Sequence, residues 1–99
     1  MKIIYHPEVE TKILSLRDED RSRIIRLIDL FKEHKFSLSQ LYLKKITKGI
    51  WELRPGKYRL LLGLIDQDIA VVTIFKKQAQ KTPKKEIKQA LRRLSEYEI

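Results

Sequence analysis

The chain has 99 residues, 42% of them hydrophobic, a formal net charge of +9 and no cysteine. This length and composition predict one folded domain over residues 1–99, and the lack of cysteine excludes disulfides, thiol nucleophiles and cysteine-ligated zinc. Two histidines are too few for a metal cluster without carboxylate help, so we predict chemistry that needs neither a metal nor another cofactor.

The first third of the chain predicts one short strand and two helices. Residues 2–6 are rich in β-branched side chains and predict a strand, which Pro7 ends. Proline favours the first turn of a helix, so we expect a first helix over residues 7–17. A second helix is predicted over residues 20–34, because apolar side chains follow the helical period there at Ile24, Leu27, Ile28 and Phe31.

The rest of the chain predicts three strands and a last helix. Residues 35–48 alternate only loosely and predict a packed loop with at most a short helical turn. Residues 50–54, 57–65 and 69–75 predict strands, and the short turns between them require antiparallel neighbours. Thr82 is the predicted N-cap of the last helix and Pro83 its first residue, before an apolar stripe of Ile87, Ala90, Leu91 and Leu94.

These elements predict an α+β fold in the order β-α-α-β-β-β-α. The two consecutive helices are expected to form a hairpin on one face of an antiparallel sheet, leaving an open basic face for a ligand. The longest apolar runs are far shorter than a membrane span, and the first residues do not resemble a signal peptide. We therefore expect a soluble, cytoplasmic protein.

The positive charge is concentrated in the second half of the chain. Residues 1–43 hold eight lysines and arginines against seven acids, whereas residues 44–93 hold fourteen against four. A one-sided field of this kind suits a polyanionic partner such as a nucleic acid. The alternative is a highly soluble protein with a solvated lysine surface, although solubility does not require the two signs to be segregated.

Alternation along two predicted strands brings three charged residues together. If the apolar set of residues 57–65 faces the helices, then Glu52, Arg54 and Arg59 converge on the open face. The carboxylate could take the proton of an RNA 2′-hydroxyl, and the two arginines could hold the scissile phosphate and stabilise its developing charge. The alternative is a solvated ion pair across neighbouring strands.

A second basic cluster surrounds the start of the last helix. Lysines in the first turn of a helix oppose its dipole, and phosphate contacts would explain why this cost is tolerated. The alternative is a solvated helix face opposite the apolar stripe. The cluster consists of Lys76, Lys77, Lys81, Lys84, Lys85, Lys88, Arg92 and Arg93.

Four segments resemble the RelE/ParE toxin superfamily, most closely its HigB-like, phage-derived branch. They are GIWELR at residues 49–54, KYRLL at 57–61, FKKQAQKTP at 75–83, and Glu86-Ile87 with Ala90. The motifs cover about half of the chain in detail, and the order of elements covers all of it. Their combination is specific, although no single piece would be.

The resemblance implies a RelE-like fold and the toxin of a type II toxin–antitoxin system. Such a toxin is a ribosome-dependent mRNA endonuclease that inhibits translation. An antitoxin encoded beside it holds it inactive, and the resemblance predicts a helix-turn-helix protein in that role. By motif position Arg54 and Arg59 resemble transition-state arginines, and Glu52 resembles a catalytic or orienting acid. Lys77 is a candidate for proton transfer, and RNA phosphates are expected to contact Lys57, Lys76, Lys81, Lys84, Lys85, Lys88 and Arg92.

Two other functions stay open at this point. The ParE branch of the same superfamily poisons DNA gyrase and cleaves no RNA. A third interpretation is a non-catalytic nucleic-acid-binding module whose basic face only binds phosphates. The Glu52, Arg54 and Arg59 set favours the nuclease. Codon preference, oligomeric state and the ability to cleave free RNA do not follow from the residues.

Overall fold

The computed structural model of the protein describes residues 1–98, which fold as one five-stranded sheet with three α-helices. The strand order is β1-β5-β4-β3-β2, with β1 parallel to β5 and all other neighbours antiparallel. None of the helices within residues 1–98 is long and apolar enough to cross a lipid bilayer. The elements are β1 (Ile3–Tyr5), α1 (Pro7–Ser15), α2 (Asp18–His34), a 3-10 turn (Lys35–Ser37), β2 (Leu43–Thr47), β3 (Ile50–Leu53), β4 (Tyr58–Ile65), β5 (Asp68–Lys76) and α3 (Lys84–Tyr97).

The predicted α+β class is confirmed, and the first two helices differ from prediction only at their ends. Helix α1 starts at Pro7 as expected, and the His6 side chain accepts a hydrogen bond from the backbone N–H of Glu8 at 3.2 Å. Helix α2 starts two residues earlier than predicted, at Asp18, so that three acids occupy its first turn. Acids there interact favourably with the positive end of the helix dipole.

A strand that the sequence did not predict lies at one edge of the sheet. Residues 43–47 were expected to be part of a packed loop, but they form β2 and pair with β3. Only Leu43 of this strand is buried, and Lys44 and Lys45 are exposed. An edge strand with two exposed lysines in succession has little apolar alternation, so its strand character depends on the pairing with β3.

The sheet carries a hydrophobic core on each face, so the second face is only partly open. The helical hairpin covers Leu53, Leu60 and Leu62, as predicted. Helix α3 covers the opposite face over a smaller core of Ile50, Leu61, Ala70, Val72, Ala90 and Leu94. The prediction of an open second face was therefore wrong where α3 packs, because the apolar stripe of α3 needs a surface to bury.

Gly63 allows α3 to lie close to the sheet. A Cβ atom at this position would lie 2.5 Å from Leu94 Cδ2 and 2.8 Å from the carbonyl oxygen of Gly49. A side chain of any size would therefore push α3 away from β4.

Arg93 of α3 contacts both β5 and α1. Its Nη1 donates a 2.8 Å hydrogen bond to the carbonyl of Val72, and its guanidinium forms an ion pair with Glu8 of α1. Val72 lies where the β4–β5 register shifts, so Arg93 satisfies a carbonyl at an irregular point of the ladder. Arg93 is only 7% exposed. Its place in the predicted basic surface cluster was therefore wrong, because it is a buried structural cation.

Candidate active site

Three charged side chains meet at the end of the β3–β4 hairpin. Arg54 Nε donates to Glu52 Oε1 at 3.0 Å, and Arg59 Nε lies 4.0 Å from the same oxygen. The register accounts for this cluster: Glu52 pairs with Leu61, and Arg54 and Arg59 lie two residues along each strand, on the same face. The structure thus brings together the three residues that the sequence predicted to converge.

Glu52 is a buried carboxylate with both oxygens occupied. Its side chain is only 3% exposed. One oxygen accepts from Arg54, and the other accepts a 2.6 Å hydrogen bond from Thr82 Oγ1. A buried carboxylate is stable only when it is paired and hydrogen-bonded, and these contacts meet that condition. Glu52 is therefore positioned to orient its partners, and it has little room for a ligand of its own.

The Thr82 hydroxyl does not cap α3. The helix begins at Lys84 after Pro83, with no side-chain cap, and the Thr82 hydroxyl donates to Glu52 instead. The predicted cap was wrong because the approach of β3 offers this hydroxyl a charged acceptor, which is a stronger partner than a backbone N–H. No local pattern in the sequence assigns this contact, since 30 residues separate the two side chains.

Arg59 is held in place by its own turn as well as by Glu52. Its Nη1 donates to the carbonyls of Gly56 at 2.9 Å and of Tyr58 at 2.8 Å. Partial burial lowers the pKa of Arg59; the charge of Glu52 opposes this shift and that of Arg54 adds to it. Arginine titrates so far above neutral pH that Arg59 remains a cation.

Within residues 1–98, both Nη atoms of Arg54 and the Nη2 atom of Arg59 are free of protein hydrogen bonds. Arg54 uses only Nε, and Arg59 leaves Nη2 unused. Two guanidiniums around one carboxylate leave a net charge of +1, with donors already oriented. This arrangement can bind a phosphate and stabilise the charge that develops on it during a reaction.

Three lysines lie beside the hairpin, and they differ in where they lie relative to the Glu52 cluster. The backbone N–H of Lys77 donates to the carbonyl of Lys57 at 2.8 Å, which places Lys77 next to the hairpin turn. Lys57 is exposed and lies 3.6 Å from Asp20 of α2. Lys76 pairs with Tyr58, which packs against the core under the helical hairpin, so Lys76 is on the opposite face from Arg59.

Helix α3 and the loop before it carry the remaining predicted phosphate contacts. These residues are all exposed and belong to the part of the chain that follows β5: Lys81, Lys84, Lys85, Lys88 and Arg92. The hydrogen bond from Thr82 to Glu52 connects the start of this basic segment to the three central residues. The basic surface and the Glu52 cluster are therefore parts of one continuous region.

Substitutions at Thr82 distinguish the hydrogen bond to Glu52 from a helix cap. Thr82→Val is expected to lower the free energy of unfolding by about 2 kcal/mol, because it leaves a buried carboxylate oxygen without a donor. Thr82→Ser keeps the hydroxyl and is expected to behave like the wild type. Thr82→Asp, which would improve a cap, should destabilise the protein by placing a second carboxylate against Glu52. Urea denaturation measures all three, and a stabilising Thr82→Asp would contradict the assignment.

The chain is similar to a known sequence family and to a protein of known structure. The sequence profile of the family described as "Phage derived protein Gp49-like (DUF891)" matches residues 11–95. A chain in the crystal structure of the archaeal RelE–RelB complex from Pyrococcus horikoshii OT3 superposes with a TM-score of 0.62. That match is 17% identical and covers 76% of this chain and 92% of the other. No curated protein sequence matches the chain significantly. The predicted phage-derived family is thus confirmed by the sequence profile, and the predicted RelE-like fold by the structural match.

Proposed function

Because the chain belongs to the phage-derived Gp49-like family and has a RelE-like fold, we propose that it is the toxin of a type II toxin–antitoxin system. The proposed activity is endonucleolytic cleavage of mRNA on the ribosome, which stops translation. One observation carries this proposal: two preorganised guanidiniums, each with at least one free Nη nitrogen, share one buried carboxylate at the edge of a basic surface.

The proposed reaction is attack of an RNA 2′-hydroxyl on the adjacent phosphate. A bond forms between the 2′-oxygen and phosphorus, and the bond from phosphorus to the 5′-oxygen breaks. The products are a 2′,3′-cyclic phosphate and a 5′-hydroxyl end. Arg54 and Arg59 hold the scissile phosphate and stabilise the negative charge that grows on its oxygens in the transition state.

Glu52 acts in this proposal as the orienting acid. Its side chain is almost fully buried and both oxygens already accept hydrogen bonds, so it holds the two arginines and does not take the proton from the 2′-hydroxyl. That proton passes to water. Lys77, exposed beside the hairpin turn, is the proposed donor of a proton to the leaving 5′-oxygen.

The basic segment around α3 is proposed to hold RNA without taking part in bond cleavage. The segment is connected to the Glu52 cluster at its start through Thr82, and its exposed cations suit ribosomal and messenger phosphates. The structurally similar archaeal chain was crystallised in a RelE–RelB complex. By analogy we propose that an antitoxin, of helix-turn-helix type and encoded by the neighbouring gene, binds this protein in the cytoplasm.

Mapping of mRNA ends after induction tests the proposed function. Cells expressing the wild type are expected to accumulate messages with new 5′-hydroxyl ends, phased with codons and confined to translated regions. The double variant Arg54→Ala/Arg59→Ala should produce none of these ends. A matched control, Lys12→Ala/Arg17→Ala, removes the same two charges from exposed positions outside the site and should cleave like the wild type.

Identical end profiles in the wild type and the Arg54→Ala/Arg59→Ala variant would end the nuclease proposal. Broken DNA together with intact messages would indicate a gyrase poison of the ParE kind. RNA binding with strong salt dependence and no cleavage products at any stage would indicate a binding module.

A further inference from the structure

A groove rich in arginine lies next to the Glu52 cluster, on the side of the hairpin that faces α2. It runs between α2 and the turn that joins β3 to β4, with a volume of about 210 Å³. Two arginines of α2, Arg23 and Arg26, line one side of the groove. Arg54 lines it from the hairpin, and Tyr42 also lines it. Arg54 therefore belongs both to this groove and to the Glu52 cluster.

The groove has an uncompensated positive charge. Within residues 1–98, Arg26 has no ion-pair partner, and the partner of Arg23 is Glu19 at 3.8 Å. The Arg23 and Glu19 side chains are 53% and 74% exposed, so water screens this pair and leaves the Arg23 guanidinium available. Three guanidiniums around one small groove favour an anion that several of them can contact together.

The same groove carries an aromatic ring for stacking. Tyr42 is 45% exposed, and its backbone carbonyl accepts a 2.9 Å hydrogen bond from Arg54 N–H, which fixes it beside the hairpin. Leu30, 40% exposed, adds an apolar surface to the groove. An exposed aromatic ring among arginines is the combination that binds single-stranded nucleic acid, since the ring stacks on a base and the arginines contact phosphates.

Gly56 lets one wall of the groove come close to the other. Its φ of +61° is in the left-handed region that favours glycine. A Cβ atom there would lie 3.3 Å from Cδ of Arg23, so the Arg23 side chain lies directly against the turn. The hairpin turn therefore positions Arg23 as well as Arg54 and Arg59.

We propose that this groove is a nucleotide subsite for single-stranded RNA, in which Tyr42 stacks on one base while Arg23 and Arg26 hold flanking phosphates. The inference rests on the proposed RNA substrate. Because Arg54 is shared, an RNA strand that occupies the groove continues directly to the phosphate held by Arg54 and Arg59. The subsite thereby sets which nucleotide lies next to the scissile bond.

Binding of an RNA that cannot be cleaved tests the subsite without the ribosome. The probe is a fluorescein-labelled RNA hexamer with 2′-O-methyl ribose throughout, which has no attacking hydroxyl. With the purified full-length protein, Arg23→Ala/Arg26→Ala should weaken binding and lower the slope of log affinity against log salt by about 1.4, the value for two phosphate contacts on a single strand. Lys12→Ala/Arg17→Ala removes the same charge outside the groove and should leave the slope near that of the wild type.

Two substitutions at Tyr42 test the stacking. Tyr42→Leu is expected to weaken binding about tenfold, and Tyr42→Phe should bind like the wild type because the ring is kept. Thermal denaturation followed by circular dichroism checks that each variant is folded. A hexamer with abasic sites should bind the wild type and Tyr42→Leu equally, because it offers no base to stack.

The outcomes separate the subsite from the nuclease proposal. Equal losses in the two double variants would overturn the subsite, whatever the end mapping shows. Binding that is indifferent to Tyr42→Leu and is displaced as readily by a polyglutamate peptide as by RNA would assign the groove to an acidic peptide and overturn the proposal. Selective loss in the groove variants, in a protein that cleaves no message, would support the subsite and overturn only the nuclease.

Discussion

Arg59→Ala is expected to lower the rate of mRNA cleavage on programmed ribosomes by about 10²- to 10³-fold. The Arg59 guanidinium is already oriented by two backbone carbonyls and faces Glu52, so its remaining donors require no reorganisation when charge develops on the phosphate. Single-turnover cleavage of a labelled message, with toxin in excess over ribosomes, measures this rate. Excess toxin separates the chemical step from weaker binding.

Two further variants make the Arg59 result specific. Arg17→Ala removes the same charge from an exposed residue at the start of α2 and should cleave at the wild-type rate. Arg59→Lys keeps the charge but loses the planar set of donors, and we expect it to remain at least about tenfold slower than the wild type. If Arg59→Ala and Arg17→Ala cleave at equal rates, Arg59 does not stabilise the transition state.

The second large effect is expected for Glu52→Gln, which keeps the shape of the side chain and removes its charge. The free energy of unfolding should fall by about 3 kcal/mol, because Arg54 and Arg59 lose their shared partner. This value is at the low end for a broken buried pair, since the Arg54 side chain is 26% exposed and reaches solvent. Urea denaturation measures it, and the exposed Glu33→Gln on α2 is the control, with a change within about 0.5 kcal/mol.

The cleavage rate of Glu52→Gln distinguishes an orienting acid from a proton acceptor. If Glu52 acts only through the arginines, its effect on the cleavage rate should largely disappear once Arg59 is removed. The Glu52→Gln/Arg59→Ala double variant should then cleave faster than expected from multiplying the two single fold-losses. Fully multiplicative losses would instead make Glu52 an independent participant in the chemistry. The comparison uses only variants that remain folded at the assay temperature.

Much of the candidate site could be predicted because strand alternation is a local property. Residues two apart on a strand share a face, and a short turn requires antiparallel pairing, so Glu52, Arg54 and Arg59 were expected to meet. The contacts in the structure agree. The exposed basic stripe of α3 was predicted for the same kind of reason, since charge and helical period can be read from the residues alone.

Other features depended on elements that are distant in the chain. Strand β2 has too few buried residues to show alternation, and only its pairing with β3 makes it a strand. The Thr82 hydroxyl would have suited a helix cap, but a buried carboxylate 30 residues away was a stronger acceptor. Arg93 resembles its lysine neighbours in sequence, yet it is buried between α1 and β5.

The residues alone determined the fold class, the position of the charge and the three central side chains, because each follows from spacing within one or two neighbouring elements. Only the tertiary structure decided that α3 covers part of the second face, that Glu52 is buried under Thr82, and that Arg23 and Arg26 form a groove with Arg54. These features require helices to pack on particular parts of the sheet. That packing is set by the total apolar surface each arrangement buries, which no single stretch of sequence contains.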